Sequence, residues 1–185
     1  FGEEAYTAGL RVYTTVNSKD QIAAQYAVFK GLSDYDQRHG YRKALINVRN
    51  IEDFEITEDN LKKLLAQNDV YNYIHPGIVT KIDDKNQNVQ IMRKNGFAET
   101  IPWEGMKWAR PFINDRRQGN APRKPSDFLS AGDLIYTYVT DDGKLRLSQV
   151  PEAEAALIAL RPGDGAIAAM VGGYDFNKSK FNRVI

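Results

Sequence analysis

The chain has 185 residues, of which 42% are hydrophobic and 26% charged, and its net charge is +1. This balance fits a soluble globular class rather than disorder, and it calls for neither nucleic acid nor an anionic membrane as partner. There is no cysteine, which excludes disulfides and thiol chemistry, and the apolar runs are far shorter than the ~20 residues a membrane span needs.

Residues 9–16 are rich in β-branched and aromatic types, with Leu10, Val12, Thr14 and Val16 on one face, and predict a strand. A helix follows at once. Ser18 is an N-cap with Gln21 at capping-box spacing, and Ile22, Tyr26 and Phe29 recur at helical spacing as a core-facing stripe. Residues 34–42 are dense in charge and aromatics. They read as a helix end whose Asp and Arg side chains pair across a turn, with an anion or sugar site as the alternative.

Thr57 caps a second helix, in which Leu61, Leu64 and Leu65 form a short apolar face. From Gly77 the period changes to two. Strands are predicted over 78–82, 88–93 and 97–101, with a turn at 83–87 and the hairpin-type Asn95-Gly96 between the last two. Residues 103–111 predict a short helical turn closing one end of a barrel. Residues 113–124 predict a long, exposed, basic loop. Strands over 134–140 and 144–150 flank the turn Asp141-Asp142-Gly143. These five short strands are in the size range of a small, closed or partly closed antiparallel barrel. Last, two apolar runs flank Pro162-Gly163-Asp164-Gly165, which predicts a hairpin over 155–173, buried on both faces. So little chain remains to cover it that it reads as the start of a further domain.

A search for chemistry finds little. His39 and His75 have no partners at metal-ligand spacing, and without cysteine a structural zinc site is not expected. There is no Ser-x-x-Lys, Lys-Thr-Gly or Gly-x-Ser-x-Gly, and no phosphate loop. The carboxylate pairs Asp83-Asp84 and Asp141-Asp142 lie in turns, where solvation accounts for them. No catalytic, cofactor-binding or metal-binding residue is assigned. The one aromatic-basic cluster is Trp103 and Trp108 with Lys107 and Arg110. It reads as barrel-end packing, with stacking on sugars or oligonucleotides as the alternative. The loop 113–124 holds Arg116, Arg117, Arg123 and Lys124, the best candidates for a partner surface, because it is long, basic and poorly explained by core packing.

Three stretches carry a family resemblance: residues 9–16 with Gln21-Ile22-Ala23-Ala24; residues 35–42; and Val150-Pro151-Glu152, Asp164-Gly165-Ala166 and residues 171–183 together. The chain resembles the class A penicillin-binding proteins of Gram-negative bacteria over essentially its whole length, with Asn17 standing where that family commonly has Asp. The resemblance implies a linker strand and helix over 1–40, an OB-like domain over 41–152 and the start of a transpeptidase domain over 153–185. The implied fold is mainly β with α (α+β): an OB-like antiparallel β-barrel with an inserted helix, flanked by a linker strand-helix and a transpeptidase hairpin. The family's nucleophile is expected beyond Ile185 and its glycosyltransferase before Phe1, so none of its catalytic residues maps here. The implied role is a non-catalytic spacer and docking module of a bifunctional peptidoglycan synthase, on the periplasmic side of the inner membrane with the anchor outside this chain. Its implied partners are the parent's own glycosyltransferase and transpeptidase domains and an outer-membrane lipoprotein activator. Peptidoglycan is the alternative ligand, bound on a barrel face through Trp103, Trp108 and Tyr136.

Overall fold

The computed structural model describes residues 7–185 together with Gly2 and Glu4; Phe1, Glu3, Ala5 and Tyr6 of the predicted 1–40 segment lie outside the described residues. Helix α1 (Ser18–His39) starts one residue earlier than predicted, because the side chain of Asn17 accepts from the Lys19 amide at 2.9 Å and Asn17 is the cap. The buried side of α1 is Ala24, Val28, Phe29, Leu32, Ser33 and Asp36. Ile22, placed on the core stripe by its spacing, is 61% exposed, because Gln21 and Ala24 take the face that meets the last strand. The helix stops at Gly40, whose φ of 103° suits glycine and where a Cβ would stand 2.7 Å from the Arg110 carbonyl oxygen.

The barrel follows. Its strands are β1 (Ile46–Asn47), β2 (His75–Asp83), β3 (Asn88–Met92), β4 (Ala98–Pro102), β7 (Asp133–Val139) and β8 (Leu145–Ser148). All pairings are antiparallel, in the order β1-β7-β2-β3-β4, with β8 also on β7. β4 comes round beside β8 without ladder hydrogen bonds, which leaves one open seam in a six-stranded, OB-like barrel. That seam is tight at one point: a Cβ on Gly105 would lie 2.6 Å from the Leu145 carbonyl oxygen. The alternation seen in sequence sorts the residues correctly, because Val89, Ile91, Ile101, Ile135 and Leu147 all turn into the barrel core.

Helix α2 (Glu58–Gln67) is capped by Thr57 and lays Leu61 and Leu65 over the outside of β2 and β7 against Ile78 and Leu134. β7 is thus covered on both faces. Ile135 faces the barrel interior, Leu134 faces α2, and Tyr136 and Tyr138 face α1.

The predicted loop 113–124 is in part a small hairpin, β5 (Phe112–Asn114) with β6 (Arg117–Gln118). Its turn is set by Asn114, whose side-chain oxygen accepts from the Arg116 amide at 3.0 Å. The final hairpin, β9 (Leu157–Leu160) with β10 (Ile167–Val171), forms, but it is not buried on both faces as predicted. One face packs on α1 through Ala169 and Val171, while Ile158 (44%) and Leu160 (53%) on β9 remain exposed.

The strand predicted over 9–16 does not form. The segment meets β10 only at its end, where Thr15 Oγ1 donates to the Ile167 carbonyl at 2.7 Å and the Asn17 amide to the Ala168 carbonyl at 2.8 Å. Numbering falls together on both sides of this contact, so the segment runs parallel to β10 and passes its first residue. Beyond lies only the turn preceding β10, which has no strand edge to pair with.

Candidate docking surface and its clasp

The barrel begins and ends at one place. Arg42 Nη1 and Nη2 donate to the two carboxylate oxygens of Asp36 at 2.7 and 2.8 Å, and Nη2 also donates to the Val150 carbonyl at 2.8 Å. Arg42 Nε lies 3.3 Å from Glu152. Gln149 closes the same join: its Nε2 donates to the Gly40 carbonyl at 2.8 Å and its Oε1 accepts from the Arg42 amide at 2.9 Å. Helix end, first barrel residues and last barrel residues are therefore bonded to one another through groups that are mostly buried. Asp and Arg pair across the turn after α1, as the sequence led us to expect.

A second clasp lies on the far side of α1. Gln21 uses its side-chain amide as a peptide group would: Nε2 donates to the Met170 carbonyl and Oε1 accepts from the Met170 amide, both at 2.9 Å. This side chain, with Asn17 and Thr15, satisfies the edge of β10 that faces away from β9. A third contact joins barrel and hairpin. The Asn72 amide donates to Asp175 Oδ2 at 2.8 Å, and Phe29 sits among Tyr73, Tyr138 and Tyr174.

The candidate partner residues divide into two groups. Arg116 and Arg117 are exposed on the β5–β6 hairpin. Arg123 and Lys124 lead into a 3-10 turn and are held differently. Their amides donate to Asp127 Oδ2 at 2.7 and 3.1 Å, and Lys124 Nζ lies 3.2 Å from Asp84. Asp84 also accepts from the Ser126 hydroxyl at 2.6 Å and the Ser126 amide at 3.0 Å. These bonds, with Lys124, hold its carboxyl below the ordinary carboxylate range.

Trp103 and Trp108 are half-buried against the barrel core, and Trp108 meets Tyr41 edge-on with centroids 5.8 Å apart. Tyr136, the third residue of the sugar-stacking alternative, is 5% exposed and its hydroxyl donates to the Asp69 carbonyl at 3.1 Å, so its ring offers no stacking face. Among the described residues no group of three or more His, Asp or Glu side chains is placed to hold a metal, and no helix is long and apolar enough to cross a membrane.

Gln149 was not singled out by sequence; Gln21 was marked as a capping-box residue and Arg110 as part of the aromatic-basic cluster, neither for the contacts made here. Gln149 and Arg42 are over a hundred positions apart, as are Gln21 and Met170, and such pairs leave no local pattern. A signal did exist for Arg38, which lies in the charge-dense stretch 34–42.

Comparison with known proteins fits this architecture. The family described as the penicillin-binding protein OB-like domain matches residues 41–153. Penicillin-binding protein 1A of Pseudomonas aeruginosa is 43% identical over 100% of this chain and 22% of its own length. That of Vibrio cholerae is 42% identical over 99% of this chain and 22% of its own. A crystal structure of penicillin-binding protein 1A from Haemophilus influenzae superposes with a TM-score of 0.74 at 32% identity, over 93% of this chain and 23% of that one. The chain thus spans about a fifth of the length of the curated relatives it matches.

Proposed function

The chain belongs to the penicillin-binding proteins and carries their OB-like domain at residues 41–153, and on that premise we propose that it is the non-catalytic spacer and docking module of a bifunctional peptidoglycan synthase. It holds a glycosyltransferase and a transpeptidase at a set separation on the periplasmic side of the inner membrane, and it offers a surface to an outer-membrane lipoprotein that activates the synthase. Its divisions are a linker over 1–40, the OB-like module over 41–152 and the opening of the transpeptidase from 153.

The observation that carries this reading is the join at Arg42. A module that leaves and re-enters the chain at one bonded point can be inserted into a larger domain without displacing what lies on either side. The Asp36–Arg42–Val150 connection gives the barrel one orientation relative to α1 and to the β9–β10 hairpin packed on it. A loose linker would instead leave the two active sites free to wander. The docking surface we propose is the basic segment with Arg116, Arg117, Arg123 and Lys124, whose four side chains are exposed and are not needed to fill the core.

The test uses the full-length parent reconstituted with envelope lipoproteins. Charge reversal at Arg116, Arg117 and Arg123 is expected to weaken lipoprotein binding and the stimulation of cross-linking, with an unchanged melting temperature. Undiminished binding by that variant would remove the docking surface. Acylation of this chain alone by labelled penicillin would remove the non-catalytic reading.

A further inference from the structure

Several arginines near the Arg42 join form a set. We infer that the C-terminal end of α1 and the β5–β6 hairpin together make one receptor for an acidic protein segment, an inference that rests on the docking reading above and gives it a chemistry and a place.

Backbone contacts bring the pieces together. The Tyr41 amide donates to the Arg110 carbonyl at 2.7 Å, and the Phe112 amide donates to the Tyr41 carbonyl at 3.0 Å. The Gln118 side chain of β6 donates to the Arg38 carbonyl in the last turn of α1. Arg38, Arg110 and Arg117 therefore come from three segments joined side by side, and Arg116 stands at the hairpin turn.

All four are exposed, and none forms an ion pair among the described residues. Lys107 and Lys124, by contrast, pair with Glu104 and Asp84. The only acid within the hairpin is Asp115. Gathering like charges with so little compensation works against the folded state and favours whatever anion supplies the missing charge. The guanidinium of Arg38 also lies 5.9 Å over the Tyr35 ring, which itself lies tilted against the His39 ring with centroids 4.3 Å apart. A cation seated on an aromatic face is partly ordered before any partner arrives, which lowers the entropy cost of binding.

The residue types select the partner. Arginine presents a planar fork that matches a carboxylate in two parallel hydrogen bonds, and arginine with tyrosine dominates the energetic centres of protein interfaces. An anionic bilayer is met more often by runs of lysine beside a membrane anchor or on an amphipathic helix. The set here is built from separate segments joined by hydrogen bonds and is composed of arginine. It fits a protein face or strand bearing several Asp or Glu. A partner seated there touches α1 and the barrel at once, next to Asp36 and Arg42, and so braces the join between them.

The test uses the whole chain and a fluorescein-labelled poly-L-glutamate peptide followed by anisotropy. The wild type is expected to bind, with affinity falling as salt rises. The double variant Arg38→Glu, Arg110→Glu is expected to lose roughly tenfold in affinity, the order expected for removing exposed charge contacts. Arg123→Glu should bind as the wild type, and both variants should melt as the wild type does. Wild-type affinity in the double variant would overturn the inference, as would binding to phosphatidylglycerol vesicles without binding to polyglutamate. The same variants in the lipoprotein assay separate the two readings. Loss on Arg123→Glu with none on the double variant would leave the docking role standing and refute this receptor.

Discussion

Asp36 and Arg42 lie six residues apart, on either side of the glycine that ends α1, and meet in a two-pronged ion pair with both contacts under 3 Å. The Asp36 side chain is only 5% exposed and that of Arg42 19%. Arg42 uses its remaining donors on Val150 and Glu152, so the pair ties the helix to both ends of the barrel. Four connections at one guanidinium make the join directional, which apolar contact alone would not.

Breaking this pair is expected to be costly, because either single change leaves a charge in a poorly solvated place. Asp36→Asn or Arg42→Ala should lower unfolding stability by about 3 kcal/mol, and the double change Asp36→Leu, Arg42→Met should recover most of it. Urea denaturation measures both. A loss under about 1 kcal/mol in the single variants, as for a surface pair, would mean that the aromatic contacts of Phe29 hold the join instead.

The barrel was legible in sequence because its strands alternate and its turns use Asn95-Gly96 and Asp142-Gly143, which specify local geometry whatever lies around them. The start of α1 was legible to within one residue, since Asn17 and Ser18 can both cap and only the Lys19 amide chooses between them. Residues 9–16 misled for a physical reason. β-propensity states that a segment suits a sheet, not that a partner edge is there, and β10 begins where this segment ends. The β5–β6 hairpin stayed hidden because its strands are three and two residues long and owe their pairing to Asn114 and to the bridge between Tyr41 and Pro111. The candidate docking residues were half legible. Sequence marks the arginines of the hairpin, and separately Arg110 and the stretch holding Arg38, but only the tertiary fold joins these segments side by side.

Gln21 predicts a local effect that can be separated from global stability. Its amide is a donor and an acceptor at once, and Met170 uses both. Gln21→Glu keeps the shape but sets a carboxylate oxygen against the Met170 carbonyl, where no hydrogen is available. Hydrogen exchange at the Met170 amide and its neighbours on β10 should quicken in Gln21→Glu and in Gln21→Ala. The strands of the barrel should exchange as before. Unchanged exchange at Met170 would show that the edge of β10 is protected by the packing of α1 without the amide.

His75 gives the protein a pH response with a definite sign. Partial burial, then the nearby charge of Arg93, pushes its imidazole below the ordinary value of 6.5, against a smaller opposing pull from Glu99. The unfolded chain therefore takes up the proton more readily than the folded one. Stability is fully present above 6.5 and is lost as the pH falls through the depressed folded value. Urea midpoints taken above and below 6.5 should show this decline in the wild type, and His75→Gln should remove that part of it. Equal declines in both proteins would assign the effect to carboxylates elsewhere.

Gly105 tests the open seam of the barrel. It is the last residue of the 3-10 turn Trp103–Gly105, which sets the glycine against the first residue of β8. A methyl group there would meet the Leu145 carbonyl oxygen at 2.6 Å and the Arg146 Cα at 3.3 Å, and both are backbone atoms that cannot rotate away. Gly105→Ala must therefore push β4 and β8 apart, where no ladder hydrogen bonds resist the movement. The expected loss is about 2 kcal/mol, within the range for overpacking. Gly163→Ala is the control, because a Cβ at that position meets nothing within 4 Å. Urea denaturation of the two variants decides the point. Near-equal stabilities would show that the seam opens freely and that the barrel is closed by its apolar core alone.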